Sequence, residues 1–364
     1  MRKYKKNPVL FCLRLIPMLP VRKIFVFIYL LMNTILSTYG TEFYRKATHG
    51  EGFIRGFFNV IKSATTGTGA ALERLFITGV SPVTMDDVTS GFNIGTNITN
   101  DSWFNDLVGF SENELREMLE YYKEQGVLQE SIDEIVAMMK PNYDNYCFSE
   151  DTLEQCMFNS DMALYFLKSF VLHHKKPKEI VDPNIRTDFN KLAYLIKLDH
   201  GLGENFSVIK EIAEQGEIIT DIVTHFSALE MTDPSNFKSL LFYFGLLSIK
   251  GVDMVGRPIL HVPNLVVREQ LFNFLIQGYI KHDIFKIDMN KMSALFENMA
   301  FRGDWKPLFD FIANAVREQS RIREYIEGEA HIKGFLLAYL GMYRYYQLYP
   351  EYELNKGFAD FFFK

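Results

Sequence analysis

The sequence predicts a mainly α-helical protein with short α/β pieces towards its two ends. Three observations carry this reading. From Ser111 onward, apolar residues recur at three- and four-residue intervals, the spacing of one helix face. Two short runs, Ile24–Ile28 (IFVFI) and Leu75–Val80 (LFITGV), are β-branched or aromatic at successive positions, as in a parallel strand covered on both faces. The composition is that of a globular chain, with 48% hydrophobic and 23% charged residues, which excludes disorder over most of the length. With 33 Phe and 19 Tyr, large aromatic cores can be built. The 364 residues leave room for two or three domains at roughly 100–200 residues each.

The elements follow in order. Residues 1–23 carry Arg2, Lys3, Lys5, Lys6, Arg14, Arg22 and Lys23, and the first acid is Glu42. Basic residues followed by the apolar run Ile24–Met32 can mark an export signal or a membrane anchor. The run is short of the ~20 residues that span a bilayer, and no clean small-residue cleavage site follows, so a buried strand is the preferred reading. A helix is expected from about Gly52 to Ser63, with Phe53, Phe57, Val60 and Ile61 on one face, broken by Gly67-Thr68-Gly69. After the strand ending at Ser81-Pro82, the Gly-, Asn- and Thr-rich stretch to Thr99 reads as loop.

Ser111 followed by Glu114 has capping-box spacing and opens a helix through about Lys123. Amphipathic segments continue over 130–140, 160–173, 187–198 and 205–215, with His173–Lys178 as a solvated linker. Residues 236–265 differ: a helix (Lys238–Phe244) leads into Leu246–Ile249, a Gly-rich loop and Ile259–Val262. A helix followed by a two-stranded wing suggests a winged-helix-like module. No Lys/Arg cluster lies on its helix, which favours packing over DNA binding. Helices resume at Val266–Ile280, Met289–Ala300, Trp305–Ala315 and Ala330–Leu340. The sequence closes on Lys356–Lys364, KGFADFFFK, read as the opening of a buried strand.

The net charge of −6 argues against non-specific binding to a phosphate backbone. Cys12, Cys147 and Cys156 are odd in number and fit no zinc spacing, so a reducing compartment without a disulfide framework is expected. Asn97-Ile98-Thr99 matches a glycosylation sequon, a pattern common by chance. A phosphate-binding loop needs G-x4-G-K-[ST]. The nearest stretch, Gly251–Pro258 (GVDMVGRP), has Arg257 and Pro258 where Lys and Ser/Thr are required and reads as a wing loop. Tyr29 and Leu30, after the first strand, cannot hold Mg²⁺ as an acid would.

The run Phe76–Asn93 (FITGVSPVTMDDVTSGFN) resembles the hallmark of bacterial AAA-ATPase-like proteins that carry a C-terminal PD-(D/E)XK nuclease-like domain. The likeness continues in order through residues 35–58 (ILSTYGTEFYRKATHGEGFIRGFF), 142–148 (NYDNYCF), 328–341 (GEAHIKGFLLAYLG) and 353–360 (ELNKGFAD). It implies a partial P-loop ATPase-like core over 24–108, a helical lid over 109–204, a winged-helix-like module over 205–282, a helical connector over 283–326 and the start of a nuclease-like domain over 327–364. Residues 1–23 remain unmatched, and the chain is expected to be truncated at both ends relative to that family.

The same resemblance implies roles for three residues. Thr78 would be the polar sensor of the second strand. Glu329 and Asp360 would be the helix and strand carboxylates of a nuclease-like, Mg²⁺-holding site, whose E-x-K pair is expected beyond Lys364. Each has a structural alternative: a strand threonine bonded to backbone, a helix-surface acid and a strand-end acid. ATP, Mg²⁺ and nucleic acid are implied by the resemblance, whereas the residues present lead us to expect no cofactor for this chain. Three functional readings stay open: a remnant inactive in ATP hydrolysis and nucleic-acid cleavage, part of a split or frameshifted ATP-driven nuclease, and a membrane-tethered interaction protein. A cytoplasmic location and homo-oligomerisation are expected, with membrane association through residues 1–37 as the alternative.

Overall fold

The computed structural model describes residues 25–30, 42–66, 72, 74–79, 96–182, 203–224, 226, 230–319, 329–346, 348–355 and 357–364. The expected helix over 187–198 and the basic segment 1–23 lie outside them. The chain is mainly helical and forms two compact units, residues 1–195 with 219–264, and residues 196–218 with 265–364.

In the first unit, β1 (Phe25–Leu30) and β2 (Arg74–Gly79) pair in parallel, in register from Phe25↔Arg74 to Leu30↔Gly79. Parallel neighbours need a crossover, and α1 (Phe53–Thr65) lies on it, preceded by a helical stretch over 42–48. The strand at 25–30 stands against the membrane alternative, which needs a long helix there. Among the described residues no helix is long and apolar enough to cross a membrane. The buried stripe of α1 differs from the expected one. Ile54, Phe58 and Ile61 are buried, whereas Phe53, Phe57 and Val60 are 66%, 52% and 69% exposed. Ile61 alone of the expected face is buried, because the helix is rotated to turn Ile54 and Phe58 inward with it.

The capping box forms as expected at α2 (Glu112–Glu124): Glu114 N–H donates to Ser111 Oγ, and the Glu114 carboxylate accepts from Ser111 N–H at 3.0 Å. Helix α3 (Ile132–Tyr143) lies against α2, and Glu112 accepts from both Arg116 and Lys140 while Arg116 also reaches Asp133. Helix α4 (Ser160–His173) is capped by Asn159 and ends at His174 in the left-handed region. His173 to Lys176 are exposed there, as a solvated linker requires.

Helix α6 (Pro234–Tyr243) leads into the antiparallel hairpin β4 (Ser248–Val252) and β5 (Pro258–His261). The short β3 (Glu217–Ile219), not expected from the sequence, gives the sheet order β3-β5-β4. Helix α5 (Glu204–Gln215) comes before β3 in the chain and belongs to the second unit.

That second unit packs α7 (Leu265–Lys281) against α10 (Glu329–Gly341) and α5, with α8 (Met289–Arg302) against α9 (Lys306–Glu318). Its core is aromatic: Phe272, Phe285, Phe296 and Tyr339 are almost fully buried, and Tyr339 OH donates to Phe285 O at 3.1 Å. Two helix glycines permit close approach. A Cβ on Gly278 would sit 2.4 Å from Phe206 Cε2, and one on Gly341 2.3 Å from Phe272 Cε2. The unit ends in a two-stranded antiparallel sheet, β6 (Leu348–Leu354) and β7 (Gly357–Phe363). A strand at β7 was expected, but as a buried one, whereas its residues are exposed or half-buried with Phe358 73% exposed; its partner was not expected, because Pro350 and the acids of LYPEYEL disguise β6 as a polar segment.

Candidate functional site

Thr78, Glu329 and Asp360 divide between the two units. Thr78 lies in β2 at the register position opposite Tyr29, in the first unit. Glu329 opens α10 in the second unit, and the side chains of Thr78 and Glu329 lie outside the described residues. Asp360 is exposed in the middle of β7, between the pairs Pro350↔Phe361 and Tyr352↔Ala359. Helix α10 contacts β6, so the helix that starts at Glu329 and the hairpin that carries Asp360 are neighbours.

A nuclease metal draws oxygens from carboxylates, water and phosphate. Among the described residues no group of three or more His, Cys, Asp or Glu is placed to hold a metal ion.

The Gly-rich loop is a closed hairpin turn. Asp253 N–H donates to Arg257 O at 2.9 Å and Gly256 N–H to Asp253 O at 3.1 Å, with Gly256 at φ +84°. The Asp253 carboxylate then accepts from Val255 N–H at 2.9 Å, Arg257 N–H at 2.8 Å and Arg257 Nε at 2.8 Å. These bonds, the Arg257 amide foremost, hold its carboxyl below the usual carboxylate range. A phosphate cradle needs amides directed at an anion it does not yet hold. Here the amides of Val255 and Arg257 are engaged by the chain's own carboxylate, so the loop does not fit ATP.

The densest polar arrangement surrounds residues 142–148, the NYDNYCF motif. Tyr143 OH donates to Ile180 O at 2.7 Å. Asn145, left-handed at φ +72°, donates through Nδ2 to Pro263 O at 3.0 Å, and Asn264 Nδ2 donates to Asp144 O at 3.0 Å. Cys147 N–H donates to Ser248 Oγ at 2.8 Å, and Phe148 N–H donates to Asn105 Oδ1 at 3.1 Å. One short segment thus joins the end of α3 to β4, to the end of the β5 strand's loop and to the turn after Asp101.

Its electrostatics are those of a buried joint. Burial raises the Asp144 carboxyl, countered by the Asn145 amide and the Lys140 charge, and Asp144 Oδ1 has no hydrogen-bond partner. Hydrogen bonds from Lys140 and Arg116 lower Glu112. Burial also raises Cys147, whose thiol donates to Ser149 O at 3.1 Å. A thiol held protonated in this way reacts only slowly at neutral pH, through its scarce thiolate. The sequence signal for this joint was the clustering of Asn, Asp and Tyr in 142–148; its partners Ser248, Pro263 and Asn264 are far along the chain and carry no local signal.

The class defined by these features is a mainly helical chain with a parallel βαβ piece near one end and a helix-plus-hairpin near the other. Comparison with known families agrees at both places. Residues 22–89 match the family described as predicted AAA-ATPase, and residues 327–364 match the PD-(D/E)XK nuclease superfamily. No curated protein and no solved structure matches the chain.

Proposed function

We propose that this chain is the frame of an ATPase-like, nuclease-like protein and, as its sequence stands, neither hydrolyses ATP nor cuts nucleic acid by itself. The observation that carries the reading is the Gly251–Pro258 turn, the nearest approach to a phosphate loop, whose amides at Val255 and Arg257 are engaged by Asp253. In this reading residues 24–108 are a partial P-loop core with Thr78 as sensor, 109–204 a lid, and 205–282 a winged-helix-like module that packs rather than binds DNA. Residues 283–326 are a connector, and 327–364 open a nuclease-like domain to which Glu329 and Asp360 contribute. The matched families imply ATP, a divalent metal and nucleic acid as the ligands of a complete system.

A second reading, that other polypeptide completes such a system, is favoured by the exposed stripe Phe53, Phe57 and Val60 on α1. Parallel sheets are normally covered on both faces, and an aromatic stripe beside a two-stranded sheet is surface of the kind that larger α/β cores cover. The test is steady-state phosphate release from ATP and Mg²⁺-dependent plasmid cleavage by the purified full chain. The reading expects neither above buffer. Cleavage that disappears in Asp360→Ala would refute the nuclease half, and ATP turnover would refute the other.

A further inference from the structure

Cys147 and Cys156 face one another across a short antiparallel bridge. Tyr146 and Met157 exchange both backbone hydrogen bonds, Tyr146 N–H to Met157 O at 3.1 Å and Met157 N–H to Tyr146 O at 2.8 Å. That makes them a hydrogen-bonded pair, and one step further along both segments sets Cys147 opposite Cys156 in the place of a non-hydrogen-bonded pair, where the bridge stops because Gln155 N–H turns to Thr152 O at 2.9 Å. The backbone of Cys147 agrees with this assignment. At such a position N–H and C=O point away from the partner segment. The Cys147 N–H goes to Ser248 Oγ at 2.8 Å, and its carbonyl accepts from Ile249 N–H at 3.3 Å, both on the far side at β4.

Non-hydrogen-bonded pairs have Cα atoms about 4.5 Å apart with side chains on one face, within the span of roughly 4.4–6.8 Å that a disulfide bridges. The charge of a neighbouring Cys147 also raises the Cys156 thiol. Both cysteines are free thiols, Cys147 fully buried and Cys156 partly exposed. Neither thiol is committed to another side chain: Cys147 donates to the carbonyls of Ser149 and Thr152, and Cys156 to that of Leu153.

We propose that Cys147 and Cys156 form a reversible intrachain disulfide that locks the acidic loop 148–155 onto the 142–148 joint, with a low-molecular-weight disulfide as the oxidant. The partly exposed Cys156 reacts first. Its thiolate attacks one sulfur of glutathione disulfide, the glutathione S–S bond breaks, and one glutathione thiolate leaves with the electron pair. Cys147, as thiolate, then attacks the Cys156 sulfur of the mixed disulfide and displaces the second glutathione. Two cysteines lose two electrons and two protons in total, and one glutathione disulfide becomes two glutathione thiols.

Burial, with the neighbouring Cys147, pushes the Cys156 thiol up to about 11, so the attacking thiolate is scarce near neutrality and closure is slow there. Its rate rises roughly tenfold per pH unit while the thiol remains mostly protonated. The lock therefore responds to sustained rather than brief oxidation.

The experiment uses the full chain with Cys12→Ser, which removes the cysteine outside the described residues. Reduced protein is incubated in glutathione buffer rich in the disulfide form at pH 7 and at pH 8, then alkylated and weighed. Peptides are mapped after cleavage at Glu150 and Glu154, which lie between the two cysteines. The expected result is a mass lower by two hydrogens, a Cys147–Cys156 crosslinked peptide, reversal by dithiothreitol and about tenfold faster closure at pH 8. Cys147→Ser, which keeps a hydroxyl for Ser149 O, should stop at a glutathione adduct on Cys156. Alkylation of both cysteines after equilibration overturns the proposal. So does a doubly closed chain dimer, or a chain that stops at the Cys156 adduct although Cys147 is present. The unsubstituted pair decides the matter even if the serine variant does not fold.

Discussion

Replacing Gly278 by alanine places a methyl group inside the ring of Phe206. The new Cβ would lie 2.4, 3.0 and 3.4 Å from three ring carbons. Phe206 cannot swing aside freely, since it is buried and its ring meets Tyr279 at 5.5 Å and Phe274 at 6.3 Å. Overpacking of this kind costs about 1–3 kcal/mol, against a gain of about 1 kcal/mol from replacing a mid-helix glycine. The net expectation is a loss of about 1 kcal/mol. Gly334→Ala in α10 is the internal control, because the atoms nearest its Cβ would be Lys210 Cε at 2.6 Å, Glu214 Oε1 at 2.9 Å and Lys210 Nζ at 3.4 Å, the far ends of flexible side chains. Those can move, so the helix-propensity gain prevails and the variant should be neutral or up to about 1 kcal/mol more stable. Both sites lie in the second unit, which allows urea unfolding followed by circular dichroism to compare them at matched slope. Adding Phe206→Leu to Gly278→Ala should recover part of the loss. A Gly278→Ala protein as stable as the Gly334→Ala protein would refute the close approach of α7 and Phe206.

The 142–148 joint yields two further predictions. Ser248→Ala leaves the buried Cys147 amide without its acceptor and should cost about 1–3 kcal/mol, with faster hydrogen exchange at that amide. Asp144→Asn tests the sign of a buried acid. Burial raises the folded-state pKa of Asp144 above its ordinary value of 3.8, so the unfolded chain releases its proton first and stability falls as pH rises from about 3.8 through the folded value. The Asn variant should flatten that fall and melt higher at neutral pH. Glu112, lowered by Lys140 and Arg116, contributes in the opposite sense: its stabilisation is present above the unfolded value of 4.5 and is lost as pH falls through the folded one. Glu112→Gln should therefore weaken the protein at neutral pH by no more than a few tenths of a kcal/mol, its side chain being about a third exposed.

Much of the fold was legible because it depends on local signals. The Ser111–Glu114 capping box, Asn159 ahead of α4 and the Gly303 stop after α8 each fix a helix end with a few adjacent residues. The two apolar runs that became β1 and β2 were legible too, since a continuous β-branched and aromatic stretch is itself a local strand signal. What escaped was set by distant partners. β6 carries Pro350, two acids and two tyrosines among its seven residues, and only its register with the Phe-rich β7 makes it a strand. In α1 the choice between Phe53–Phe57–Val60 and Ile54–Phe58–Ile61 as the buried stripe depends on what lies beneath the helix. Of the residues the resemblance singled out, Glu329 falls at a helix start and Asp360 in a strand, which fixes their elements and leaves their roles as a proposal. The joint around Asp144 was not, because its hydrogen bonds reach across more than a hundred residues to Pro263 and Asn264.

We propose that this chain binds no ATP, because the Gly251–Pro258 turn, the nearest approach to a phosphate loop, is closed by Asp253. Titration calorimetry of ATP with Mg²⁺ into the purified full chain tests it most directly. The account predicts no saturable heat corresponding to a dissociation constant tighter than about 100 μM, an ordinary value for a nucleotide site. Saturable binding below about 100 μM that survives Asp253→Ala and Arg257→Ala would contradict it.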